Sequence, residues 1–155
     1  MIQRIQTVYL LIITVLSAVV FFLPVAGLYN QIDNIQYTLD YKGVSLVSEN
    51  AAKVVYNTWA LSAIPVIISI LSLITIFLFK KRILQLRLTV FNLVIMLGYY
   101  GMLFLYLWLA KAKLNADWHL EFVTAFPLVC IILAGLAMRS ISKDEALVRS
   151  LNRIR

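Results

Sequence analysis

Residues 88–109 read LTVFNLVIMLGYYGMLFLYLWL, a run without Asp, Glu, Lys, Arg or His. A helix rises about 1.5 Å per residue and a bilayer's hydrocarbon core is roughly 30 Å thick, so about 20 such residues cross it. Three further runs have the same character, at residues 7–28, 58–79 and 122–138. At 63% hydrophobic and 14% charged, the chain departs from soluble domains, whose apolar content is about 45–50%. The expected fold is an all-α membrane protein: a four-transmembrane-helix up-down bundle forming one domain over residues 1–155.

Arg4 and the apolar stretch behind it have the outline of a signal peptide. The stretch exceeds the usual signal core of about 7–15 residues, and Pro24 stands where a small residue should precede cleavage. A retained helix is the better reading. Cys130 is the one cysteine and falls inside the fourth run, so neither an internal disulfide nor an N-terminal lipoprotein anchor is expected.

The basic residues predict orientation. Arg4 precedes the first run; Lys80, Lys81, Arg82 and Arg87 separate the second and third; Arg139, Lys143, Arg149, Arg153 and Arg155 follow the fourth. On the other side Lys42, Lys53, Lys111 and Lys113 mix with Asp33, Asp40, Glu49, Asp117 and Glu121. Lys and Arg resist translocation, which puts the basic side and both termini in the cytoplasm. Trp59, Trp108 and Trp118 all fall at outer helix ends, where an indole rests at headgroup level with its N–H wet. Two unrelated rules therefore agree on orientation. The inner basic residues should meet anionic headgroups, each for about 1 kcal/mol, or a protein partner. Topology accounts for the net charge of +7 without nucleic acid.

The connections carry signals of their own. In the outer loop, residues 29–57, Ile35, Tyr37, Leu39 and Tyr41 alternate with polar residues, and Gly43 precedes a β-prone Val44-Ser45-Leu46-Val47. That pattern predicts a small outer β-hairpin, lying on helix ends, membrane or a partner. The cytoplasmic tail, residues 139–155, has Ser142 and Glu145 at capping-box spacing. Leu147, Val148, Leu151 and Ile154 form a stripe beside Arg149, Arg153 and Arg155. This reads as a C-terminal amphipathic helix on the inner leaflet. Pro65 and Pro127, each a few residues after a tryptophan, are expected in first helical turns or at kinks.

Chemistry-bearing residues are few. The four runs contain no ionisable acid or base, whereas proton relays and ion-coupled transporters need such groups at membrane depth. Tyr99 and Tyr100, flanked by Gly98 and Gly101, are expected at a packed interface with each hydroxyl bonded. Asn92, closer to the inner end, could clamp one helix to another or face the headgroups. Thr14 with Ala18, and Cys130 with Ala134, have small-xxx-small spacing suited to contacts within the bundle or with another protein. Asp117, His119 and Glu121 would share one face of an extended segment and have metal-ligand chemistry. A solvated interface explains them as well, and no metal or cofactor is expected. No second histidine or phosphate-cradling glycine loop supports catalysis, so a non-enzymatic protein is expected.

The opening MIQRIQTVYLL (residues 1–11), the inner-loop Phe79-Lys80-Lys81-Arg82 and the closing Lys143-Asp144-Glu145 through Val148-Arg149-Ser150-Leu151 resemble a known family. It comprises small four-pass membrane proteins of Bacteroidota described only as a domain of unknown function. The resemblance spans the chain and is most specific at its two ends. It implies a bacterial inner-membrane protein with cytoplasmic termini and brings no catalytic residue or cofactor. The function expected is that of an accessory or scaffold subunit of a membrane assembly, held to a protein partner or to its own copies. A small oligomeric transporter or lipid-handling protein is the alternative, and a leaflet-facing cavity lined by Asn92, Tyr99 and Tyr100 would mark it.

Overall fold

The computed structural model describes residues 5–30, 35–46, 53–79 and 81–153. Arg4, Asp33, Glu49, Lys80, Ile154 and Arg155 lie outside the described residues, as do the side chains of Lys53, Leu147, Val148, Arg149, Leu151 and Arg153. Four helices are long and apolar enough to cross a membrane. They are α1 (Ile5–Phe22), α2 (Trp59–Phe77), α3 (Arg82–Leu114) and α4 (Phe126–Arg153), the last entered through a 3-10 turn at Phe122–Ala125. α1 packs on α2 and α4, and α3 packs on the same two, so α1 and α3 stand diagonally opposed.

A small antiparallel sheet closes one end of the bundle. Its strands are β1 (Ala26–Asn30), β2 (Ile35–Asp40), β3 (Gly43–Leu46), β4 (Lys53–Tyr56) and β5 (Asp117–Leu120), in the order β4-β3-β2-β1-β5. α1 and α3 run toward this sheet end, and α2 and α4 run away from it to the far end.

The hairpin expected around Gly43 is present as β2 and β3, but it forms the middle of a five-stranded sheet. Asp40 pairs with Gly43 across a two-residue turn, and the Asp40 Oδ1 accepts the Lys42 N–H at 3.0 Å. Gly43 has φ 132, a conformation in which a Cβ would be strained. Tyr37 and Leu39 point inward from β2. They meet Leu103, Leu107 and Ala110 of α3 in a core shared with Val25, Leu28 and Val44. At about 1.5 Å per residue the 33-residue α3 is about 50 Å long. It exceeds a bilayer core and projects as a post for the sheet.

Three boundaries differ from those expected. α1 stops at Phe22 rather than continuing to residue 28. Pro24 lacks an N–H and bars its predecessor from helical geometry, so Val25 and β1 enter the sheet instead. Val25 donates to the Leu39 carbonyl at 2.9 Å, while its own carbonyl accepts the Glu121 N–H at 3.1 Å. α3 outruns residues 88–109 at both ends, because Arg, Gln and Lys are good helix formers once beyond the apolar run. It ends at Asn115 in the left-handed conformation, and the Asn30 amide donates to the Leu114 carbonyl at 3.0 Å. α4 continues through Ser142 and Glu145 into the tail, so no separate helix begins there. In a continuous helix those N–H groups already have carbonyl partners and leave a capping box nothing to cap. Pro127 lies in the first turn of α4, and Pro65 lies inside α2.

The helices reverse the pattern of water-soluble bundles. Their buried faces carry Gln6, Ser17, Ser72, Thr75, Gln85, Thr89 and Asn92. Leu11, Val15, Ile67, Ile70, Phe91, Val94, Ile132 and many other large apolar residues face outward. Outward faces this apolar are compatible with an apolar solvent, and some of the buried polar groups bond across helices, as Asn92 does to Ser72.

Candidate functional site

Polar side chains tie the helices together within the bundle. Asn92 of α3 donates to Ser72 Oγ at 2.8 Å and more weakly to the Ile68 carbonyl at 3.4 Å, both on α2. Ser69 of α2 donates to the Thr14 carbonyl of α1 at 3.2 Å. Tyr100 donates to the Thr124 carbonyl at 2.7 Å, and the Thr124 hydroxyl donates to the Val25 carbonyl. Asn92 thus bridges α3 to α2, and the Tyr100 phenol is hydrogen-bonded. Tyr99 departs from expectation: it is 1% exposed and its hydroxyl has no partner among the described residues. Pro65, Val20 and Tyr99 line two small cavities, each with room for about one water. Asn92 and Tyr99 are both buried within the bundle, and Tyr99 lines both of these cavities.

At the far end Gln6 and Gln85 are also buried, on α1 and α3. Gln85 is 0% exposed, and neither its Oε1 nor its Nε2 has a hydrogen-bond partner among the described residues. Both residues fell outside the apolar runs 7–28 and 88–109, which is why a hydropathy reading missed them. The spacing of Gln85, Thr89, Asn92, Met96 and Tyr99 is a continuous helical stripe and was the available signal. Gln85→Met is expected to raise stability by about 1–3 kcal/mol, since it removes an unsatisfied amide while keeping its volume. Denaturant unfolding in detergent reads this, and a loss of stability would mean that the amide holds a water or solute.

The small residues separate into two classes. Cys130 and Ala134 are buried in the bundle core with Leu10, Ile13, Ile68 and Met96. Thr14 and Ala18 are partly buried on α1. Gly98 and Gly101 are different, for they face outward, and a Cβ added to either would meet nothing within 4 Å. On α3 they interrupt an exposed row of Phe91, Val94, Leu105 and Trp108. Spacings of three and four place all six on one face, opposite the buried Asn92, Met96, Tyr99 and Leu103. The result is a flat notch bordered by large apolar side chains.

The acidic–histidine trio does not gather. Asp117 pairs with Lys111 at 2.9 Å, and His119 Nε2 lies 3.5 Å from Glu121 Oε1. The His119 imidazole covers Gly27 on the neighbouring strand, where a Cβ would collide with the ring. Among the described residues no group of three His, Cys, Asp or Glu could hold a metal. Trp59, Trp108 and Trp118 are all exposed at the sheet end. At the far end Lys81, Arg87, Arg139 and Lys143 are exposed, and Arg82 donates to the Asp144 carbonyl at 2.8 Å, fastening α3 to α4.

A family model described as "Domain of unknown function (DUF4293)" matches residues 2–154. The chain belongs to this family. The match covers the bundle, the sheet and the extended α4 alike, so the whole architecture is the family's unit. No curated protein matches the chain.

Proposed function

We propose that the chain is a four-pass protein of a bacterial inner membrane, with both termini cytoplasmic, acting as a non-enzymatic subunit of a membrane assembly. The Gly98–Gly101 notch carries this reading. A second transmembrane helix, from a partner or another copy, seats its backbone against the two glycines, with Val94 and Leu105 gripping it on either side. In lipid, helices associate through close van der Waals approach, which small residues permit. The bundle's own small residues, Cys130 and Ala134, are already covered, whereas this pair is open. Basic residues at the cytoplasmic end, including Lys81, Arg87, Arg139 and Lys143, hold that end to anionic headgroups.

Gly98→Leu with Gly101→Leu separates assembly from folding. The new side chains enter open space, so insertion and bundle stability should hold or rise, given that Gly costs a helix about 1 kcal/mol relative to good helix formers. Cross-linking in native membranes should lose the associated species about tenfold or more. An unchanged cross-link in the double variant sinks the reading.

A further inference from the structure

The two cavities that Tyr99 lines differ in chemistry. The first sits at the sheet end of the bundle, walled by the end of α1 and by Leu61, Ser62 and Pro65 of α2. Asp40 and Tyr41, at the β2–β3 turn, cover it. The second lies deeper, among Ile68, Met96 and Cys130, and draws on all four helices. Besides Tyr99, its polar groups are the Cys130 thiol and Ser17, whose hydroxyl is committed to the Ile13 carbonyl at 2.7 Å.

Tyr99 reaches the first cavity from across the bundle. α3 packs on α2 and α4 and stands diagonal to α1, so the wall it contributes opposite α1 is the phenol end of this side chain. That hydroxyl is buried and has no hydrogen-bond partner among the described residues. Pro65, inside α2, and Leu61 line the same cavity. The helical residue four after Leu61 would ordinarily give its N–H to the Leu61 carbonyl, and proline has none to give. Leu61 is itself buried, so bulk water does not replace that donor. Ser62 Oγ donates to the Trp59 carbonyl at 2.8 Å and keeps its lone pairs for another donor. One donor and two acceptors thus border a space with room for about one water.

We propose that this first cavity is a binding site for one water molecule, which exchanges with solution at the sheet end past Asp40 and Tyr41. The water accepts a hydrogen bond from the Tyr99 hydroxyl and donates to the Leu61 carbonyl and to Ser62 Oγ. It thereby joins α3 to α2 at the Pro65 break, as Asn92 joins the same two helices nearer the far end. Buried waters typically make about three hydrogen bonds, whereas apolar cavities stay dry. The deeper cavity is therefore expected to be empty. The bound water depends neither on the glycine notch nor on the bilayer orientation proposed above.

X-ray radiolytic labelling of the full chain in detergent tests this, because radicals formed from a bound water oxidise the side chains beside it whatever their exposure. After correction for intrinsic reactivity, Tyr99 should be labelled clearly faster than Leu103, which is equally buried in a close-packed core. Cys130, at the deeper cavity, should stay unlabelled. Protection of Tyr99, or labelling of Cys130 along with it, overturns the proposal. Denaturant unfolding gives an independent sign. Tyr99→Phe should lower the ratio of folded to unfolded chain about fivefold, since it removes a hydrogen bond to the water. A rise in that ratio would show the hydroxyl to be an orphan and would overturn the water. In a Pro65→Ala background the Leu61 carbonyl regains its helical donor, so the penalty of Tyr99→Phe should shrink to within about twofold. Equal penalties in the two backgrounds assign the effect to packing and overturn the bridge.

Discussion

Leu103→Ala is expected to lower the stability of the purified chain by about 2–5 kcal/mol, the range for emptying a leucine site in a close-packed core. Leu103 is 0% exposed and sits where α3 leaves the bundle and passes beneath the sheet. Its neighbours in that core come from α1, β1, β2, β3, α2 and α3. Elements so distant in sequence cannot all shift to refill the space, which places the cost toward the upper end. Denaturant unfolding followed by tryptophan fluorescence is well suited, because Trp59, Trp108 and Trp118 all report on the sheet end. The neighbouring Phe104 is 49% exposed and faces away from the core. Phe104→Ala should therefore stay within about 0.5 kcal/mol of wild type. Equal effects at the two positions would contradict the docking of the sheet on α3.

Ala134→Leu should be damaging in the opposite sense, through excess volume. Ala134 is 1% exposed on α4, in the core that also holds Leu10 and Ile13 of α1 and Ile68 of α2. Three added carbons must push α1 and α4 apart, at a cost of about 1–3 kcal/mol or more. The same enlargement at Gly98 meets only open space. Limited proteolysis in detergent, together with an unfolding titration, distinguishes the two. If Ala134→Leu behaves like Gly98→Leu, the interior position of the α4 small residues is wrong.

Much of the architecture was legible because it depends on the average character of long segments. Four apolar runs specify four helices whatever their neighbours are, since a backbone in lipid must satisfy its own hydrogen bonds. The β2–β3 hairpin was also readable, because its alternation and its turn at Gly43 are local. β1 was not: Ala26, Gly27 and Leu28 are as apolar as the helix before them. They become a strand because Pro24 ends α1 and two other strands supply partners. β5 lies far along the chain from β1, and nothing in Asp117–Leu120 names its partner. The candidate sites divide similarly. Asn92 was readable as a polar residue within an apolar run. Gln85 was hidden in what looked like an inner loop.

The sequence by itself determined the number of helices, the segregation of charge to their ends and the central hairpin. Each follows from the free energy of a residue in water, lipid or a pleated strand, summed over its near neighbours. The tertiary structure decided which small residues are covered, which polar groups lack partners and how five strands join over α3. Those outcomes depend on atoms brought from distant parts of the chain. Gly98 and Ala134 are equally small, and only the packing of four helices leaves one open and encloses the other.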